Sequence, residues 1–298
     1  MGTPDFSVPT LEKIIEAGHE VIGVVTQPDK AKGRGKNVSY PPIKEKALEH
    51  GLTVYQPKRA REPEFIEQMQ ALAPDVMVVV AFGQILPKAI LDIPKYGCVN
   101  VHASLLPKYR GAAPIQWAVI RGEAVSGVTT MQMDVGLDTG DMLLKAEVPL
   151  EADETGGSLH DKLSTLGGEL LIETLKGLEA GTIQPEKQDD SQAGEYARML
   201  DKALGKIDFS MAAAEIERLI RGLSPWPSAY TAYKGKTMKI WRAEGVPGQI
   251  ISVDKKGFTV MTGDKALHVL ELQMEGKKRM DAGAFLRGCQ MAEGEMLG

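Results

Sequence analysis

Asp75-Val76-Met77-Val78-Val79-Val80-Ala81 is a nearly unbroken apolar run of strand length. It restricts the fold more than any other stretch. A strand with one wet face alternates apolar and polar residues, whereas a continuous β-branched run is covered on both faces. Helices on both sides of a parallel sheet give that cover, and the neighbouring sequence supplies them. Helices are expected at Val8–Glu16, 41–50 (stopped by Gly51), 62–71 and Pro114–Arg121, with a long one at 157–180. Strands are expected at 21–26, 52–55, 96–102, 127–133 and 142–148. In the 62–71 helix, Phe65, Ile66, Met69 and Leu72 recur at helical spacing. The β–α alternation predicts an α/β fold with a doubly wound, mostly parallel sheet. Such a fold should open on an apolar strand. The chain instead opens on Met1-Gly2-Thr3-Pro4-Asp5, which reads as the turn after one, so about six to ten preceding residues are expected.

Beyond residue 183 the pattern changes. Gln184-Pro185-Glu186-Lys187-Gln188-Asp189-Asp190-Ser191 is a polar joint. A helix near 212–221 leads into Ser224-Pro225-Trp226-Pro227. Five short strands then alternate with glycine turns, at Ala229–Tyr233, 236–242, 248–253, 257–262 and 267–272. That spacing suggests a small β-barrel. The expected division is residues 1–189 as a catalytic domain, 190–206 as a linker and 207–298 as the barrel domain.

Composition excludes several classes. No apolar run reaches the roughly 18 residues of a membrane span, and no secretory leader is visible. Cys98 and Cys289 have neither disulfide-framework nor zinc spacing, so two reduced thiols in a cytoplasmic protein are expected, with no metal. Net charge is −5, but it is unevenly spread. Residues 1–204 hold 21 basic and 29 acidic side chains; residues 205–298 hold 14 and 11. Residues 27–46 hold 6 basic and 2 acidic side chains. A basic loop and a basic tail domain could meet a polyanion despite the overall sign. Gly33-Arg34-Gly35, with Lys30, Lys32, Lys36 and Asn37, lacks the context of a phosphate-binding glycine loop. It reads as an exposed basic loop.

The chemistry concentrates in two stretches. Asn100 and His102 are two apart on one strand and share a face, while Val99 and Val101 take the other. Strand carboxyl ends are where open parallel sheets build their sites. Asp138, in Val135-Gly136-Leu137-Asp138-Thr139-Gly140, follows a strand of the same sheet. An amide can donate to a developing oxyanion, an imidazole titrating near 6.5 can carry a proton, and a carboxylate can hold that imidazole. The three suit acyl transfer to an amine without a covalent enzyme nucleophile. No Gly-x-Ser-x-Gly elbow is present, and His19, His50, His160 and His268 lack such company. Ser104-Leu105-Leu106-Pro107 could line a cofactor pocket, with Leu86 and Pro87 as an opposite wall. Leu105 and Leu106 could equally be core.

Six stretches together resemble the methionyl-tRNA formyltransferase family. They are Gly2-Thr3-Pro4-Asp5-Phe6, Thr26-Gln27-Pro28-Asp29 with Gly33-Arg34-Gly35-Lys36, Asn100 through Pro107, Arg110-Gly111-Ala112-Ala113-Pro114-Ile115, Met133 through Asp141, and Pro225-Trp226-Pro227. The resemblance covers essentially the whole chain. It implies a Rossmann-like formyltransferase domain followed by an OB-like barrel. It also implies formyl transfer from 10-formyltetrahydrofolate to the α-amino group of methionyl initiator tRNA. It assigns catalysis to Asn100, His102 and Asp138, folate contact to Ser104, Leu105, Leu106 and Pro107, and tRNA contact to Arg34 with Lys32 and Lys36. A monomer is expected. The main alternative is a formyltransferase acting on a small amine or amino sugar through the same Asn-His-Asp core. A formyltetrahydrofolate hydrolase would need no basic loop, a nucleotide-dependent dehydrogenase would need the absent Gly-x-Gly-x-x-Gly, and a pure RNA-binding module would need no polar trio.

Overall fold

The computed structural model describes residues 1–31, 38–244 and 250–297. In chain order these form α1 (Val8–Glu16), β1 (Val24–Val25), β2 (Lys30–Ala31), β3 (Val38–Ser39), α2 (Pro42–Glu49), β4 (Val54–Tyr55), α3 (Pro63–Leu72), β5 (Met77–Val79), α4 (Lys88–Leu91), β6 (Cys98–His102), α5 (Pro114–Arg121), β7 (Val125–Gln132), β8 (Met142–Pro149) and α6 (Gly156–Glu179). There follow α7 (Ala213–Gly222), β9 (Ala229–Tyr233), β10 (Lys236–Glu244), β11 (Ile250–Val253), β12 (Phe258–Met261), β13 (Ala266–Met274), β14 (Met280–Asp281) and α8 (Ala282–Leu286). Four helices carry proline in their first turn, at Pro9, Pro42, Pro63 and Pro114. The N–H that proline lacks would be unpaired there in any case.

The chain divides into two compact units. The first is Met1–Gly111, Val125–Val148 and His160–Tyr196; the second is Ala112–Ala124, Pro149–Leu159 and Ala197–Gly298. In the first unit, β1 pairs parallel with β4 and β5 pairs parallel with β6. Successive residues of β1 face opposite ways, as a strand requires. Val24 packs with Leu11, Ile43 and Ala47 of α1 and α2. Val25 packs with Phe65, Met69 and Ile90 of α3 and α4. Helices on both faces make the sheet doubly wound, as the apolar run anticipated.

Between β1 and β5 sit Met1 and Gly2. The Gly2 N–H donates to Val25 O (2.9 Å) and the Val80 N–H to Met1 O (2.9 Å). The Met1 ammonium donates to Val78 O at 2.6 Å, and burial pushes its pKa down to about 6. This is the sheet position that the β–α pattern assigns to an opening strand. Beside it lies a cavity of about 670 Å³, lined by Leu11, Val24, Val25, Met77, Val78 and Leu175 among others. Its lining includes none of Asn100, His102 and Asp138.

The other edge of the sheet departs from the parallel pattern. β6 pairs antiparallel with β7, with His102 opposite Thr129, and β8 lies next to β7. A parallel return needs a crossover packed on the sheet. α5, which joins β6 to β7, instead packs on α7 within the second unit. Nine residues, 133–141, connect β7 to β8.

Cys98 is 1% exposed, and burial pushes its thiol pKa up to about 12. Cys289 is only half-buried. The thiolate is the reactive form. An aromatic disulfide reagent at pH 8 is therefore expected to titrate Cys289 in the native protein and Cys98 only after unfolding. Two rapidly reacting thiols would contradict this.

In the second unit the strand order is β11-β12-β13-β10-β9, all antiparallel, with β14 on β13. Its core joins Ile216 and Ile220 of α7 to Met238, Ile240, Phe258, Val260, Val269 and Leu272. The strands fall where the glycine turns placed them, but the expected barrel is not closed. Among the described residues no pairing joins β9 to β11. The free edge of β9 is taken by the incoming chain, through a parallel bridge from Lys206 to Tyr230 and the Ile207 N–H on Tyr230 O at 2.8 Å. Register shifts between Ile240 and Ala243 bend β10 without closing the sheet. Among the described residues no helix is long and apolar enough to cross a membrane.

Candidate active site

β6 presents Cys98, Asn100 and His102 on one face and Val99 and Val101 on the other. Val101 lies against α6, where a Cβ on Gly167 would come within 2.8 Å of its Cγ1. Only glycine allows that approach. Asn100 (9% exposed) and His102 (6% exposed) thus emerge near the carboxyl end of β6, both buried.

Asp138 reaches the same place from the β7–β8 connection. Two local devices shape that loop. Asp134 Oδ1 accepts from the Gly136 N–H (2.9 Å) and the Thr139 hydroxyl (2.8 Å). A Cβ at Gly140 would lie 1.7 Å from Gln132 O, so the chain closes there only around glycine. Asp138 itself sits at φ +56, in the left-handed region. Its Oδ1 lies 3.7 Å from His102 Nδ1, and its Oδ2 accepts from the Gly111 N–H at 2.9 Å. The side chains are 7% and 21% exposed.

His102 Nε2 is 3.0 Å from Tyr109 O. A carbonyl can only accept, so Nε2 carries the hydrogen and Nδ1 of the neutral ring is the free base. The ring is clamped at one nitrogen and faces a carboxylate with the other. Asn100 differs. The residue as a whole is 9% exposed, its amide has no hydrogen-bond partner among the described residues, and its polar atoms are not sealed from solvent. It is a donor free to meet a ligand oxygen.

The structure therefore brings Asn100, His102 and Asp138 together. Ser104, Leu105, Leu106 and Pro107 turn the chain directly after His102. The Ser104 hydroxyl donates to Lys108 O at 2.6 Å, and Leu106 is 1% exposed in a cluster with Met131 and Met142. The Leu106 N–H donates to Thr129 Oγ1 (3.0 Å), which in turn donates to Ser104 O (2.7 Å). Leu105 remains half-buried. Leu86 is core. Ile85, beside it in the connection from β5 to α4, is 76% exposed, and Val135 and Leu137 in the loop that carries Asp138 are 73% and 59% exposed. Lys32, Arg34 and Lys36 lie outside the described residues; the flanking β2 and β3 pair antiparallel, Lys30 with Ser39. Among the described residues no group of three or more His, Cys, Asp or Glu side chains could hold a metal.

Sequence reasoning missed the Tyr109 carbonyl, the Gly111 N–H and Thr129. The first two act through main-chain atoms, which residue type does not reveal. Tyr109 at φ +57 is a strained turn that only coordinates show.

Comparison with known proteins places these features in context. A family model described as formyl transferase matches residues 1–175, and one described as formyl transferase, C-terminal domain, matches residues 199–290. A methionyl-tRNA formyltransferase of Lachnospira eligens is 59% identical, over 100% of this chain and 98% of that protein. One from Clostridioides difficile is 53% identical over 100% and 98%. Among solved structures, WlaRD, a sugar 3N-formyl transferase determined in the presence of dTDP and 5-N-formyl-THF, superposes with a TM-score of 0.68 at 19% identity, covering 93% of this chain and 97% of that one. An N-formyltransferase from Helicobacter canadensis gives a TM-score of 0.65 at 19% identity, covering 90% and 97%. At that identity the two structures share the fold alone.

Proposed function

The chain belongs to the methionyl-tRNA formyltransferase family, and we propose that Asn100, His102 and Asp138 carry its transfer of a formyl group from 10-formyltetrahydrofolate to the α-amino group of methionyl initiator tRNA. The observation that carries this reading is the Asn100 amide, free to donate, on the strand face it shares with a clamped His102 that faces Asp138. That donor set fits a formyl oxygen. Bound there, the folate supplies a formyl carbon activated as an N-formyl amide. The Asn100 amide donates to the acyl oxygen as negative charge collects on it. His102 Nδ1 takes the proton that the amine must lose, since Nε2 is committed to Tyr109 O, and returns it to the folate nitrogen as that nitrogen's bond to the formyl carbon breaks and tetrahydrofolate leaves. Asp138 Oδ1 faces that nitrogen and stabilises the imidazolium; the Gly111 N–H keeps the carboxylate aimed. Leu105 and the main chain of Ser104, Leu106 and Pro107 form one wall for the folate, and the exposed Ile85, Val135 and Leu137 offer apolar surface at the same sheet edge. No metal is required by any step.

The tRNA is met by the basic loop around Lys32, Arg34 and Lys36, and by the C-terminal domain. In this reading residues 1–189 form the catalytic domain, 190–206 the linker and 207–298 the tRNA-contacting domain. The protein acts as a monomer in the cytoplasm, where charged initiator tRNA is used. The alternative, formylation of an amino sugar, finds support in fold likeness at 19% identity. The tRNA reading finds it in full-length relatives at 53–59%.

The test is formylation of charged initiator tRNA by 10-formyltetrahydrofolate, with charged elongator tRNA and an amino sugar nucleotide as comparators. Turnover with the initiator alone is expected; turnover only with the sugar would overturn the reading. In the same assay, Arg34→Ala should weaken use of methionyl-tRNA more at low than at high salt, because salt screens what the charge contributes. An unchanged salt slope would remove the loop from tRNA binding.

A further inference from the structure

One side chain outside the trio binds the loop that carries Asp138. Gln188 sits in the polar stretch after α6. Its Nε2 donates to Asp138 O and to Gly140 O, both at 2.8 Å. Its Oε1 accepts from Arg110 Nε at 2.8 Å, and Arg110 Nη2 donates to Asp190 Oδ1 at 2.8 Å. Carbonyls only accept and a guanidinium only donates, so the orientation of the amide is fixed by its partners. Arg110 immediately precedes Gly111, whose N–H binds the Asp138 carboxylate. The amide of Gln188 therefore ties the loop that carries the carboxylate to the segment that carries its donor.

Asp138 needs such a tie. Its φ of +56 is unfavourable for a residue with a Cβ and persists only where the surroundings over-determine it. We propose that Gln188 is a positioning residue for formyl transfer: its two N–H groups hold the Asp138 and Gly140 carbonyls so that the carboxylate faces His102 Nδ1. This rests on the reading of Asp138 as a catalytic group. The role demands two donors and one acceptor in a single plane. Among side chains of this length an amide alone supplies them, since Glu only accepts and Lys only donates.

Gln188→Glu discriminates the proposal from a simple tether. Glutamate has the same shape, and its carboxylate would bind Arg110 at least as well, through a charge-assisted bond. It would, however, set an oxygen against two carbonyls. The expected result is a kcat about 10- to 100-fold lower, as for a small displacement of a catalytic group. The KM for methionyl-tRNA should stay near wild type, with the native circular dichroism spectrum retained at the assay temperature. In an Asp138→Asn background the same substitution should change kcat by less than about twofold, because coupled residues are not additive. Wild-type kcat in Gln188→Glu would overturn the proposal. So would a loss of equal size in both backgrounds, which would show Gln188 acting independently of Asp138. Wild-type activity in Asp138→Asn alone would instead overturn the catalytic reading of that carboxylate.

Discussion

Replacing His102 with alanine is expected to lower kcat for formyl transfer by about 10²- to 10⁴-fold, the usual worth of a positioned acid–base group. The binding of methionyl-tRNA should be largely unchanged. An α-amino group titrates near 8, so a good part of it is a competent nucleophile at neutral pH. What it lacks is somewhere to send its proton as the new C–N bond forms. His102 Nδ1 is that acceptor, since Nε2 donates to Tyr109 O. A ring free at both nitrogens could rotate out of place; this one cannot without breaking a bond and moving within a site where it is 6% exposed. Rates measured under single turnover, with tRNA binding measured separately, check the prediction. Activity within about tenfold of wild type would remove the imidazole from the reaction. A parallel loss of tRNA binding would assign it a structural part.

Asn100→Ala should cost about 10²–10³ in kcat, as removal of one oxyanion donor does. Its effect on stability should be small. Among the described residues the amide has no hydrogen-bond partner and is not sealed from solvent, so truncation leaves nothing newly unpaired. The thermal midpoint is expected to stay near that of the parent while activity falls. Asn100→Asp sharpens the test. It keeps the shape and replaces the donor with an acceptor, so it should be at least as inactive as the alanine variant. An active Asp variant would show that donation from residue 100 is not used.

The architecture of the first unit was legible because burial leaves a period in sequence. The run at 75–81 announced a strand covered on both faces, and Val24 and Val25 do face different helices. The helices expected at 41–50, 62–71 and Pro114–Arg121 lie at Pro42–Glu49, Pro63–Leu72 and Pro114–Arg121. Asn100 and His102 share a face because strand geometry gives them no alternative. The antiparallel turn of β7 and β8 was not legible, because it follows from where α5 packs, a long-range property. The open edge of the C-terminal sheet was hidden for the same reason: Lys206 occupies the side of β9 that a barrel would have closed. Gln188 sat in the stretch read as a polar joint. Its polar neighbours are what a solvated joint would carry, and only its two main-chain acceptors, 48 and 50 residues away in sequence, set it apart. The His102–Asp138 pairing was anticipated from a strand end and a loop that follows a strand of the same sheet. Its means, two left-handed residues at 109 and 138 and a glycine N–H, could not be read from residue types.

The most direct test of the account is a crystal structure of the protein soaked with a non-transferable 5-formyl tetrahydrofolate. The prediction is a formyl oxygen within hydrogen-bond distance of the Asn100 amide, with His102 Nδ1 facing the same group and the pterin against residues 104–107. A folate bound instead in the cavity beside Met1, with Asn100 still unpartnered, would contradict it.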